Sequence, residues 1–185
     1  MFFKILNDLP PLPQHLIDKV DPTFIPPDDI VDYTVARNLQ NWNGYQGKAA
    51  QNRSVIADQE FIDWVATNIT TDFQKVKLNY VDCSEGKLHT GAHTDGTRLW
   101  TLLWNIRTGG NNAELCFYQE HGQPLERELK LQKEDRSCLT VVDTIVGPAN
   151  CWYLINSLIL HGTENITEPR INLQIGFTTL PSLLQ

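Results

Sequence analysis

The sequence has only four cysteines, Cys83, Cys116, Cys138 and Cys151, and no two of them form a Cys-x-x-Cys pair. That excludes zinc-knuckle and thioredoxin-type motifs and leaves free thiols, which suit a reducing, cytoplasmic setting. Long apolar runs are missing too. The run Met1-Phe2-Phe3-Lys4-Ile5-Leu6 is stopped by Asn7-Asp8 and prolines, too soon for the apolar core of a secretion signal. No stretch approaches the roughly 20 apolar residues of a membrane-crossing helix, so no membrane partner is expected. Positive charge is scarce: 15 Lys and Arg stand against 22 Asp and Glu, a net charge of −7. An acidic balance argues against nucleic acid and against anionic membrane surfaces, and leaves a small molecule or a peptide as the expected substrate. Internal repeats and low-complexity segments are absent.

What is present is ordinary globular composition, 41% hydrophobic and 20% charged over 185 residues, which predicts one domain spanning 1–185. Residues 1–73 read as an irregular and helical buttress. Pro10-Pro11-Leu12-Pro13 and Pro26-Pro27 punctuate its first 50 residues, with a short helix through Gln14–Val20 and a strand through Asp32–Arg37. Trp42 and Tyr45 sit in a loop that either covers the core or lies over the mouth of a site. Phe61, Ile62, Val65 and Ile69 recur with helical spacing, and Asp58 is placed to cap that helix.

From residue 74 to 180 the pattern is β. Strands are predicted through Val76–Tyr80, Leu88–Asp95, Arg98–Ile106, Ala113–Tyr118, Cys138–Val146, Cys151–Ile155, Leu158–Gly162 and Arg170–Thr178. Gly109-Gly110-Asn111-Asn112 is a turn, and 119–136 is a polar connection. A mainly β chain with an N-terminal helical cap and eight strands fits a double-stranded β-helix, the jelly roll of cupin-like proteins. In that topology the second strand pairs with the seventh and the eighth lies beside the first.

The stretch Gly91-Ala92-His93-Thr94-Asp95-Gly96 places an imidazole and a carboxylate two residues apart, on one face of an extended strand. The predicted pairing would bring His161 opposite them. Two His and one carboxylate are too few for a closed structural zinc site. They match the facial arrangement of non-haem Fe(II) oxygenases, which leaves the other positions open. Arg170 follows His161 by nine residues and shares a strand face with Asn172, Gln174 and Gly176. A polar face on a core strand lines a cavity, and a guanidinium there suits a dicarboxylate.

The segment from Tyr80 to Phe177 resembles the catalytic core of the Fe(II)/2-oxoglutarate-dependent oxygenases, in their prolyl-hydroxylase-like branch. The matching residues are Tyr80, His93-Thr94-Asp95, Arg98, Thr101, Trp104-Asn105, Gly109-Gly110, Glu114-Leu115-Cys116-Phe117, Gly147-Pro148, His161 and Arg170. The resemblance implies that His93, Asp95 and His161 are the catalytic Fe(II) ligands. It implies that Arg170 binds the distal carboxylate of 2-oxoglutarate, with Tyr80, Thr101, Asn105 and Asn172 lining the cosubstrate site. It further implies a reaction consuming O2 and 2-oxoglutarate, releasing succinate and CO2, and hydroxylating a prolyl or other amino-acid side chain. Thr90 and Ser157-Leu158 stand where the family often has aromatics, which bears on the substrate and leaves the ligand set intact. Two other readings share the barrel: a metal-binding cupin-type enzyme that does not use 2-oxoglutarate, and a non-catalytic jelly-roll binding or structural module.

Overall fold

Strict alternation in three neighbouring strands sets the architecture of the computed structural model, which describes residues 1–20, 51–82, 89–95, 98–121, 138–147 and 149–184. The expected strand at 32–37, the Trp42–Tyr45 loop and most of the 119–136 connection lie outside the described residues. The elements in chain order are β1 (Phe3–Leu6), α1 (Gln14–Asp18), β2 (Gln51–Ile56), α2 (Gln59–Asn68), β3 (Lys75–Asp82), β4 (Trp100–Thr108) and β5 (Glu114–Glu120). They continue with β6 (Leu139–Val146), β7 (Trp152–Asn156), β8 (His161–Glu164), β9 (Arg170–Phe177) and a short 3-10 turn, Ser182–Leu184. The chain is mainly β. The strands form two antiparallel sheets, one ordered β1-β7-β4-β9-β3-β2 and the other β6-β5-β8.

Period-two side-chain placement divides the larger sheet into an outer and an inner face. Leu102 and Trp104 of β4, Trp152 and Leu154 of β7, and Leu173, Ile175 and Phe177 of β9 pack on the outer side with Leu16 of α1 and with Phe61, Val65 and Ile69. Trp152 lies between Trp104 and Trp64, with ring centroids 5.0 and 6.2 Å away, and its indole N–H donates to the Pro10 carbonyl at 2.8 Å. Leu103, Tyr153 and Ile155 face inward and meet Leu115, Phe117 and Ile145 of the smaller sheet. Both faces of β4 and β7 are therefore covered, which is why these two strands carry nearly continuous apolar runs, while β9 alternates apolar residues outward with polar and small ones inward.

Helix α2 begins where the sequence places it. The Asp58 carboxylate accepts from the backbone N–H groups of Glu60 and Phe61, satisfying donors that have no partner within the helix. The expected strand at 88–95 is realised only in part. Thr90 N–H reaches the Thr163 carbonyl, His93 and His161 exchange reciprocal backbone bonds, and Asp95 N–H reaches the Ser157 carbonyl. The pairing offset changes between these contacts, so no regular ladder builds and a single bridge, His93 to His161, remains. Two strands, β1 and β2, are additions to the sequence reading; they close opposite edges of the larger sheet against β7 and β3. Gly109 and Gly110 turn β4 into β5 with φ of +91° and +109°, a region that suits glycine. Among the described residues no helix is long and apolar enough to cross a membrane.

Phe61→Ala empties a fully buried site between α2 and the sheet, and is expected to cost about 3–5 kcal/mol of stability in urea unfolding. Asp58→Ala removes only the cap and is expected to cost about 1 kcal/mol by the same measurement.

Candidate metal centre

His93 and His161 stand directly opposite each other across the bridge, and their ring centroids are 4.6 Å apart. Asp95 follows two residues after His93, and its Oδ2 lies 4.0 Å from His161 Nε2. One donor atom from each of the three residues falls within 4.8 Å of the others, with Asp95 and His161 buried and His93 half-buried. Both imidazoles are oriented alike. His93 Nδ1 lies 2.9 Å from the Gly91 carbonyl and His161 Nδ1 lies 2.7 Å from the Ile159 carbonyl, each two residues upstream. A carbonyl only accepts, so each Nδ1 carries the proton and each Nε2 keeps its lone pair for an ion. This donor set, two imidazole nitrogens and a carboxylate, fits a divalent transition metal with open positions.

Electrostatics keep His161 and Asp95 in ligand form. Burial pushes the His161 imidazole down to about 4, with His93 adding to the effect and Asp95 opposing it. Burial alone would raise the Asp95 carboxyl. The Arg98 guanidinium beside it, followed by the two imidazoles, outweighs that and holds it well below the usual carboxylate range. At neutral pH His161 is neutral and Asp95 ionised, the states that bind a metal.

The inner face of β9 continues from this cluster as Gly176, Gln174, Asn172 and Arg170. Arg170 is 2% exposed. It donates from Nη1 to the Thr108 carbonyl at 2.7 Å and from Nη2 to the Tyr153 hydroxyl at 3.0 Å. Tyr153 in turn donates to Asn105 Oδ1 at 2.9 Å. No carboxylate among the described residues pairs with this buried cation. Two buried atoms beside it, Asn105 Nδ2 and Asn172 Oδ1, also lack hydrogen-bond partners. An uncompensated guanidinium next to unsatisfied amides is costly unless an anionic, hydrogen-bonding ligand completes the group. Gly147 keeps this corner open: a Cβ there would lie 2.5 Å from Asn105 Nδ2.

The sequence-derived residues thus fall into two groups. His93, Asp95 and His161 come together, and Arg170, Asn105 and Asn172 line the same interior. Thr101 lies at the metal end, sharing a 2.6 Å hydrogen bond with Ser157 Oγ, whose carbonyl accepts from Asp95 N–H. Tyr80 falls on a different face from these residues. It stands opposite Ile171, and by alternation shares the outer face with Val76 and Leu78. The inward residue of that strand is Asn79, buried, opposite Asn172 and accepting from Ser54 Oγ at 2.8 Å. Tyr153 was not foreseen. Its signal was present in the alternation of Trp152-Tyr153-Leu154, but choosing the inward member requires the pairing of Tyr153 with Leu103.

No family model matches this sequence, and no curated protein matches it. Solved structures do resemble it, prolyl hydroxylases among them. A prolyl hydroxylase from Trichoplax adhaerens, in complex with a hypoxia inducible factor oxygen degradation domain peptide fragment, superposes with a TM-score of 0.50 at 11% identity, covering 95% of this chain and 83% of that one. A Pseudomonas putida prolyl-4-hydroxylase gives a TM-score of 0.44 at 10% identity, over 97% of this chain and 93% of that one. At such identities the likeness is one of fold.

Without metal, stability is expected to fall as pH drops from about 6.5 to about 4, because the unfolded chain binds a proton that buried His161 refuses. Full development of that difference corresponds to about 3 kcal/mol. Urea midpoints across this range should show the loss, and His161→Gln should flatten it.

Proposed function

We propose that this protein is an Fe(II)- and 2-oxoglutarate-dependent oxygenase. The observation that carries the reading is Arg170, a buried cation with no carboxylate partner among the described residues, inside the barrel that holds the His93-Asp95-His161 cluster. In this reading the barrel is the eight-stranded double-stranded β-helix with 89–95 as its second strand, and α1 and α2 form its N-terminal cap.

His93, Asp95 and His161 would hold Fe(II). Arg170 would pair with the distal carboxylate of 2-oxoglutarate, with the Tyr153 hydroxyl adding a hydrogen bond. Asn105 Nδ2 can donate to the same ligand, and Asn172 Oδ1 can accept from a ligand group or an ordered water. Bound Fe(II), 2-oxoglutarate and O2 would together supply the oxidising power to hydroxylate a C–H bond, with succinate and CO2 as coproducts. The chain's own contribution is ligand geometry, a fixed cosubstrate orientation and a dry wall. Leu103, Ile155 and Phe117, all buried, keep water from the sheet-to-sheet interior. The substrate class that fits the acidic chain and its fold neighbours is an amino-acid side chain, prolyl among the candidates, free or in a peptide. Nucleic acid and membrane substrates are outside this reading.

Anaerobic titration with Fe(II) and then 2-oxoglutarate tests it. A visible metal-to-ligand charge-transfer band is expected in the wild type and is lost in His161→Ala. Arg170→Ala should weaken 2-oxoglutarate about a hundredfold with the Fe(II) requirement nearly unchanged, and Tyr153→Phe should weaken it about tenfold. Iron binding without any band on adding 2-oxoglutarate would move the assignment to a metal cupin that does not use this cosubstrate.

A further inference from the structure

Arg98 is held in a seat of its own beside the metal cluster. Its Nε donates to Asp95 Oδ2 at 2.8 Å, and its Nη2 lies 3.4 Å from Gln174 Oε1. The seat depends on Gly176, because a Cβ there would lie 3.0 Å from Arg98 Cδ. The guanidinium thus rests on the inner face of β9, at the opposite end from Arg170. The oxygen it grips, Oδ2, is the one 4.0 Å from His161 Nε2.

We propose that Arg98 is a positioning residue that restricts Asp95 to one-oxygen ligation and thereby keeps a third metal position open. The inference rests on the metal centre proposed above. A carboxylate that chelates with both oxygens must turn lone pairs on both toward the ion. With an arginine N–H on Oδ2, that rotation would break a charge-assisted hydrogen bond in a buried setting. Counting positions shows why this matters. A six-coordinate ion with two imidazoles and one carboxylate oxygen has three positions left; with both carboxylate oxygens it has two. A 2-oxo acid that chelates needs two, so only one-oxygen ligation leaves a further position. Arginine suits the task because its planar guanidinium bonds Asp95 and approaches Gln174 in one fixed orientation.

The test uses Co(II) as the probe and its visible absorption as the readout, since band position and intensity report coordination number. Arg98→Ala is expected to change the Co(II) spectrum and to weaken 2-oxoglutarate binding to the Co(II)-loaded protein at least about tenfold. Arg98→Lys, which restores a cationic donor, should recover part of both. Should Arg98→Ala fail to fold, Gly176→Val serves, because it leaves every polar group in place and displaces the Arg98 stem; the same spectral change is expected. A folded variant whose Co(II) spectrum superimposes on the wild type overturns the proposal. If wild-type Co(II) protein forms but its spectrum ignores 2-oxoglutarate, the oxygenase reading fails while the metal spectrum still decides the role of Arg98. If the wild type binds no Co(II), both fall.

Discussion

Everything at the site depends on one pair of backbone hydrogen bonds, the reciprocal exchange between residues 93 and 161 at 2.8 and 2.9 Å. It joins segments 68 positions apart in the chain (161 minus 93) and sets two imidazoles side by side, their ring planes tilted by 48°. The neighbouring contacts at Thr90 and Asp95 anchor the segment on either side without making it a regular strand. That irregularity is useful. A regular ladder would fix every side chain at strand period, whereas a single bridge with shifting offsets lets Asp95 turn toward both His161 and Arg98.

The larger sheet then separates two solvents. Its outer face is apolar and covered by helices, with Trp152 in ring contact with both Trp64 and Trp104. Its inner face carries Ser54, Asn79, Asn172, Asn105 and Arg170 across four adjacent strands. Polar groups buried in this way cost stability unless they are satisfied. Ser54, Asn79, Asn172 and Asn105 stand in register as one row across the four strands, and Arg170 lies two residues before Asn172 on the same face of β9. Gly109, Gly147 and Gly176 each leave space beside a member of the site where a methyl group would press on Arg170, Asn105 or Arg98.

Much of this was legible in the sequence because it follows from period. The apolar spacing of Phe61, Val65 and Ile69 identified α2, Asp58 its cap, and the alternation of β4 and β9 put Thr101, Asn105, Arg170 and Asn172 on faces that do turn inward. Register was not legible. Tyr80 and Asn79 differ by one position, and only the pairing of β3 with β9 decides which of them faces the interior. Tyr153 was hidden for the same reason. β1 escaped because Phe3–Leu6 is short and its partner, β7, lies about 150 residues on, beyond any local pattern.

That last pairing has a kinetic side. β1 joins β7, β3 joins β9, and the segment at 89–95 joins β8, so most of the sheet edges wait for the final quarter of the chain. Contacts of such high sequence separation close slowly and leave strand edges exposed meanwhile. His161 and Arg170 both belong to that late portion. A ribosome-bound chain that has extruded His93 and Asp95 therefore presents two of the three clustered side chains without the third, and the full donor set exists only once the late strands have closed.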